Sequence, residues 1–323
     1  MLDFWLSLAK RPPVVANQKL FRSLEKALAR GVTREPLRGL RYRKRSASIL
    51  AGLVRKHKLH RGGGLMAMLV EFVMTARFDN LSRLLDRVES GHLFSTAPFR
   101  ERLVNAIGGE TIRRPRVRLA INTMDVRTGK VVRFVNHPPN KRPDADASHY
   151  HYHKEISVDM ILASASIPII FNPVRVDNTM LWDGGLLVNT PLAPSVALGA
   201  RRIIPVLVTS QHTPPVSESM TLGAGIERLA DAFLENAYNM DRKLLLERNK
   251  LAENLPDLGL AVAELYEAIR PDSSRVFNAG SYLFFERQAL MRMYEAGRQS
   301  ATRWLDAKHQ PETRTDLYYP QEA

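Results

Sequence analysis

The apolar positions of this chain change period several times, and each change predicts an element. Pro98, Leu103 and Ile107, followed by Gly108-Gly109, predict a helix that stops at the glycines. Val117-Arg118-Leu119-Ala120-Ile121 alternates with period two, as does Val131-Val132-Arg133-Phe134-Val135. With Thr128-Gly129-Lys130 between them, the two runs read as a hairpin. Residues 137–153 are polar, contain three prolines and read as a loop. Residues 156–163 predict a short helix ending at Ser166-Ile167-Pro168, and residues 191–198 predict another. The run from Ile203 to Val208 predicts a buried strand, and Ala263 to Ile269 predicts one more before Arg270-Pro271. Two longer helices are expected, over 222–255 and 286–305. The first carries charge on most faces, so a lid, a partner surface and simple exposed packing all fit it.

Upstream, Leu20, Leu24 and Leu28 fall at helical spacing, and residues 1–60 read as helices joined by basic loops. Residues 65–90 continue helical, with Leu81, Leu84, Leu85 and Val88 as the buried stripe. Helices alternating with strands after residue 115 argue for a layered α/β fold. This division predicts a basic helical region over 1–90, an α/β portion over 91–305 and a tail over 306–323.

Charge sharpens the division. The net charge is +14, and residues 1–61 hold 16 Lys/Arg against Asp3, Glu25 and Glu35. Nearly the whole excess therefore lies in the first fifth of the chain. Such a region suits an anionic membrane surface, or else is a solvated helical face. No nucleic-acid module signature accompanies it. The absence of cysteine excludes a thiolate nucleophile, a thiolate metal site and disulfides. No leader pattern is visible at Met1-Leu2-Asp3-Phe4, and the most apolar run, 65–76, contains Glu71 and is too short to span a bilayer. The expectation is a cytoplasmic protein, with peripheral membrane attachment as the alternative.

Candidate chemistry centres on Asp183. It follows Met180-Leu181-Trp182 and precedes Gly184-Gly185. A carboxylate at a strand end, followed by glycines that let the chain turn, is a way to present a general base in a cleft. Asp-Gly is equally a hairpin signal. His149, His151 and His153 alternate and would share one face of a strand, as some metal ligands do. Their Pro/Asp-rich setting argues for a loop instead, with no metal or other cofactor. The glycines of His60-Arg61-Gly62-Gly63-Gly64 could offer N–H groups to an oxyanion, or form a basic turn between helices.

The surroundings of Asp183 carry a resemblance. Ala163-Ser164-Ala165-Ser166-Ile167-Pro168, then Phe171-Asn172-Pro173, then Leu181-Trp182-Asp183-Gly184-Gly185, then Asn189-Thr190-Pro191 follow one another in the order of the patatin-like phospholipase family. Leu93 to Phe99 and Asn122-Thr123-Met124-Asp125 resemble further elements of that family. The resemblance covers about residues 90–305. It implies a three-layer α/β/α sandwich with helical additions and hydrolysis of lipid acyl esters by a Ser-Asp dyad. Asp183 would be the base, Gly184 and Gly185 would shape its loop, and Asn189 and Pro191 would open the next helix. The family's nucleophile sits in G-x-S-x-G, and no serine of this chain has glycine both two before and two after it. Ser164 and Ser166 match the family's helix end rather than its nucleophile. The resemblance therefore implies a fold incomplete at its N-terminus, a chain that starts just after the nucleophile helix, and little hydrolysis. A non-catalytic lipid- or membrane-binding protein is the alternative.

Overall fold

The computed structural model describes residues 2–10, 13–20, 22–23, 91–112, 117–140, 149–210, 222–272, 285–307 and 309–313. The chain divides into two compact units, Met1–Val15 with Thr96–Ala323, and Ala16–Ser95. In the smaller unit, the Asn17 backbone N–H donates to the Leu93 carbonyl (2.8 Å) and its Nδ2 to that of His92 (2.9 Å). Residues 24–60 of the first helical region, the helix expected over 65–90 with its leucine stripe at 81–88, and the glycines Gly62, Gly63 and Gly64 lie outside the described residues.

The larger unit runs α1 (Leu2–Leu8), α2 (Ala97–Ile107), β1 (Thr111–Ile112), β2 (Ala120–Asp125), β3 (Val131–Val135), β4 (Tyr150–Tyr152) and β5 (Ile156–Ser157). It continues with α3 (Val158–Ala163), β6 (Val174–Val176), β7 (Thr179–Asp183), α4 (Leu192–Ala197), β8 (Arg202–Ile203), α5 (Leu222–Asn254), β9 (Glu264–Leu265) and α6 (Arg287–Asp306). Five strands form a mixed sheet in the order β4-β3-β2-β7-β6, antiparallel except for the parallel pair β3–β4. The expected β2–β3 hairpin is present. Its turn is held by Asp125, whose carboxylate accepts from Arg127 N and from the Thr128 hydroxyl, each at 2.8 Å. Gly129 supplies the left-handed residue, at φ 66°.

Opposed residues of an antiparallel pair share a face, so the register sorts the side chains. Ile121, Phe134, Val174, Val176 and Leu181 point to one face. There they pack with Met160, Leu162 and Ala163 of α3 and with Phe99 and Leu103 of α2. Arg100 of α2 binds α3 through Asp159 (Nε to Oδ1, 2.6 Å) and the β1 approach through Glu110 (2.7 Å). Ser157 caps α3 by accepting from Met160 N at 3.2 Å. The other face carries Arg133, which is 8% exposed, donates to Asn122 Oδ1 at 2.6 Å and lies over the Tyr150 ring. Helix α5 brings Asp241 within range of that charge: burial raises the Asp241 carboxyl above its ordinary value, and Arg133 partly offsets the rise. Helices thus flank the sheet on both sides, an α/β sandwich. A second core joins α4, α5 and the parallel pair β8–β9 through Leu192, Val196, Ile203, Leu245, Leu246 and Leu265. Asn249 fastens α5 to that pair by exchanging two hydrogen bonds with the Ala263 backbone.

Four expectations need correction. The strand expected from Val117 begins at Ala120, and Val117 is 63% exposed. The Asn136 amide occupies the groups the strand would have used, accepting from Leu119 N (2.7 Å) and donating to Val117 O (2.8 Å). The polar loop over 137–153 contains β4, because Tyr150 and His151 pair with Arg133 and Phe134. The helix expected from Ile156 opens as a strand, since Ile156 and Ser157 pair with Ile112 and Thr111. The run 203–208 is no fully buried strand. Ile203, Pro205 and Leu207 face inward, whereas Ile204, Val206 and Val208 are exposed, and only Arg202–Ile203 and an isolated bridge from Val206 to Ile269 are paired.

Leu181 is fully buried at the centre of the sheet's core. Leu181→Ala is expected to lower stability by about 2–5 kcal/mol, read as a lower urea midpoint with an unchanged slope.

Candidate active site

Asp183 is the last residue of β7. Its position follows from pairing on both sides of its backbone: it lies opposite Thr123 of β2, and its N–H donates to the Ser166 carbonyl at 2.9 Å. Ser166 is held in turn, since its buried hydroxyl donates to Leu162 O at 2.8 Å. Ser164 likewise donates to Ile161 O at 3.1 Å. Both hydroxyls are thus engaged by carbonyls of α3. The short connection after Ser166 includes Ile169 at φ 70°, a costly conformation for a β-branched residue.

The chain then turns sharply. Gly184–Leu186 form one turn of 3-10 helix, capped by Asp183, whose Oδ1 accepts from Gly185 N at 2.8 Å. Gly184 is required by contact rather than by torsion. A Cβ there would lie 2.7 Å from the Asn122 carbonyl carbon and 2.8 Å from Thr123 N. At Gly185 a Cβ would meet Asp183 Oδ1 at 3.1 Å and Asn189 Oδ1 at 3.6 Å, so Asn189 folds back over the turn. Pro191 precedes α4 directly as its N-cap residue. The loop holds one further polar group, Thr190 Oγ1, which is buried with no hydrogen-bond partner among the described residues. Leu186 and Leu187 are each 47% exposed, so the carboxylate sits beside apolar surface.

Burial raises the Asp183 carboxyl above its ordinary value, and the Gly185 N–H offsets this only in part. Among the described residues no hydroxyl donates to it, and Gly185 N is its one hydrogen-bond partner. Two cavities lie elsewhere on the unit. One of ≈ 550 Å³ is bounded by Arg118, Leu119, Ala120, Pro191, Pro194 and Leu198. One of ≈ 380 Å³ is bounded by Asp125, Lys130, Phe134, His149, His151 and Asp177. Asp183 lines neither. His151 and His153 pack their rings against Phe134, at 6.2 and 5.4 Å between centroids. Among the described residues no three His, Asp or Glu are grouped to hold a metal ion.

Two outcomes follow from this geometry. Gly184→Ala must push the β2 and β7 backbones apart and is expected to cost at least about 1–3 kcal/mol in denaturant unfolding. The second concerns pH. The Asp183 carboxyl keeps its proton to higher pH in the folded protein than in the unfolded chain, so ionising it weakens the fold as pH rises through the folded value. Asp183→Asn keeps an acceptor for Gly185 N. It is expected to raise Tm at pH 7, with the gain fading below about pH 4, where the unfolded carboxyl is itself protonated. A lower Tm at pH 7 would refute this.

Comparison with curated proteins gives no match. Comparison with protein families does: the model of the patatin-like phospholipases matches residues 6–196, more than half of the 323-residue chain. The match spans the five-stranded mixed sheet, the helices α2 and α3 on one of its faces and the strand β7 that ends at Asp183. The chain belongs to the patatin-like phospholipase family.

Proposed function

We propose that this chain is a lipid acyl hydrolase scaffold in which Asp183 is the base of a Ser-Asp dyad, with Gly184 and Gly185 shaping its turn. The observation that carries the reading is the state of Asp183. It is a half-buried carboxylate with a raised proton affinity, fixed by Gly185 N at 2.8 Å, at the end of a strand and beside exposed Leu186 and Leu187. A carboxylate so placed is a stronger base than an exposed one and can take a proton from a hydroxyl brought within hydrogen-bond reach. The exposed apolar surface of Leu186 and Leu187 suits an ester with a hydrocarbon chain. The substrate class is a lipid or other acyl ester. No nucleic acid enters the reading, and the setting is cytoplasmic or peripheral to a membrane.

The dyad lacks its nucleophile in this sequence, since G-x-S-x-G does not occur. A base without a hydroxyl to activate gives no acyl-enzyme. The same observation favours the second reading, a non-catalytic protein that keeps the lipid-binding scaffold. A serine-reactive fluorophosphonate probe separates these from an active enzyme. The expected result is labelling far below one equivalent, together with hydrolysis of a p-nitrophenyl acyl ester no faster than with Asp183→Asn. Stoichiometric labelling of this chain would overturn the reading.

A further inference from the structure

Helix α5 is apolar on two sides. Its inner face is committed to the core through Tyr238, Leu245, Leu246 and Ala252. The outer face carries Leu229, Phe233, Met240, Leu244, Leu251 and, directly after the helix, Leu255, all of them exposed. These residues repeat as two eleven-residue series, 229-240-251 and 233-244-255. Eleven residues make just over three turns at 3.6 residues per turn, so the six side chains form one nearly straight stripe, interrupted by the partly buried Glu247 between Leu244 and Leu251. From Leu229 to Leu251 it is about 33 Å long. One flank of the stripe is edged by exposed Lys243 and Lys250, neither of which forms an ion pair among the described residues. No described helix is apolar enough to cross a membrane.

We propose that this outer face of α5 is a membrane-docking surface, lying flat in the interface of an anionic lipid bilayer. A one-sided apolar stripe with lysines beside it matches the chemistry of that surface: the side chains enter the acyl boundary and the lysines meet anionic headgroups. Self-association through the same stripe is the competing occupant that light scattering tests. The proposal concerns a surface separate from Asp183 and does not depend on that residue's role.

The test is co-sedimentation of the full chain with phosphatidylcholine vesicles, with and without phosphatidylserine, at low salt. The expected result is binding to the anionic vesicles. Leu229→Gln/Phe233→Gln/Leu244→Gln, at exposed positions, is expected to keep the wild-type circular dichroism and lose binding at least tenfold. Lys243→Gln/Lys250→Gln is expected to weaken binding to anionic vesicles by about fivefold per lysine and to leave neutral vesicles unaffected. Three results would overturn the proposal: no vesicle binding by the wild type, unchanged binding by the triple variant (which would assign attachment to the basic N-terminal region), or a triple variant that loses only self-association in light scattering.

Discussion

The backbone of Gly184 lies against the backbone of Asn122 and Thr123 with no space for a side chain between them. Much of the site depends on that approach. It brings the chain leaving β7 back across β2 and so decides where the turn begins. The Asp183 carboxylate can then reach forward to Gly185 N while its own N–H is held by Ser166. A carboxylate on a mobile loop would be solvated and ordinary in its proton affinity. Held by two strands and the end of α3, it is pressed into partial burial, and its affinity rises for that reason. The glycine is thus a packing requirement first and a chemical one only through its neighbour.

The two faces of the sheet are built on different physics. Towards α2 and α3 the contacts are apolar and depend on volume. Towards α5 the sheet presents Arg133, a nearly buried cation with the Asn122 amide on one side and the Tyr150 ring beneath it. Burying an arginine is costly unless its charge is met. Here the π-face, the amide oxygen and the field of Asp241 share that task. The arrangement also fixes β4 beside β3, because the ring that receives the guanidinium is the residue paired with it.

Legibility followed the range of the interactions. The β2–β3 hairpin, helix α2 with its stop at Gly108, and the strand ending in Asp183-Gly184-Gly185 depend on neighbours in sequence, and their patterns were visible there. The start of β2 was not, because Asn136 replaces the ladder through its side chain. Strand β4 was hidden inside a polar segment, since its pairing with β3 and the packing of His151 against Phe134 come from residues beyond the local pattern. Arg133 read as the polar position of an alternating strand, and no periodicity marks it as buried. The residue order around Asp183 made the candidate site legible as a family pattern. The contact that demands Gly184 was invisible, because it is made to the backbone of a strand some sixty residues earlier. On α5 the charges masked the stripe: counted residue by residue the helix is polar, and only the split between buried and exposed positions separates two apolar faces.

The alternation along Ile204, Val206 and Val208 bears on how the molecule behaves in bulk solution. Three large apolar side chains stand outward in the run that follows β8, in a protein of pI ≈ 10.2. At low ionic strength, mutual repulsion between strongly cationic molecules keeps such surfaces apart. Salt shortens the reach of that repulsion to about 10 Å at 0.1 M while leaving the apolar attraction intact. Colloidal stability is therefore electrostatic in origin, and solubility should fall with added salt where a neutral protein of the same fold would respond little.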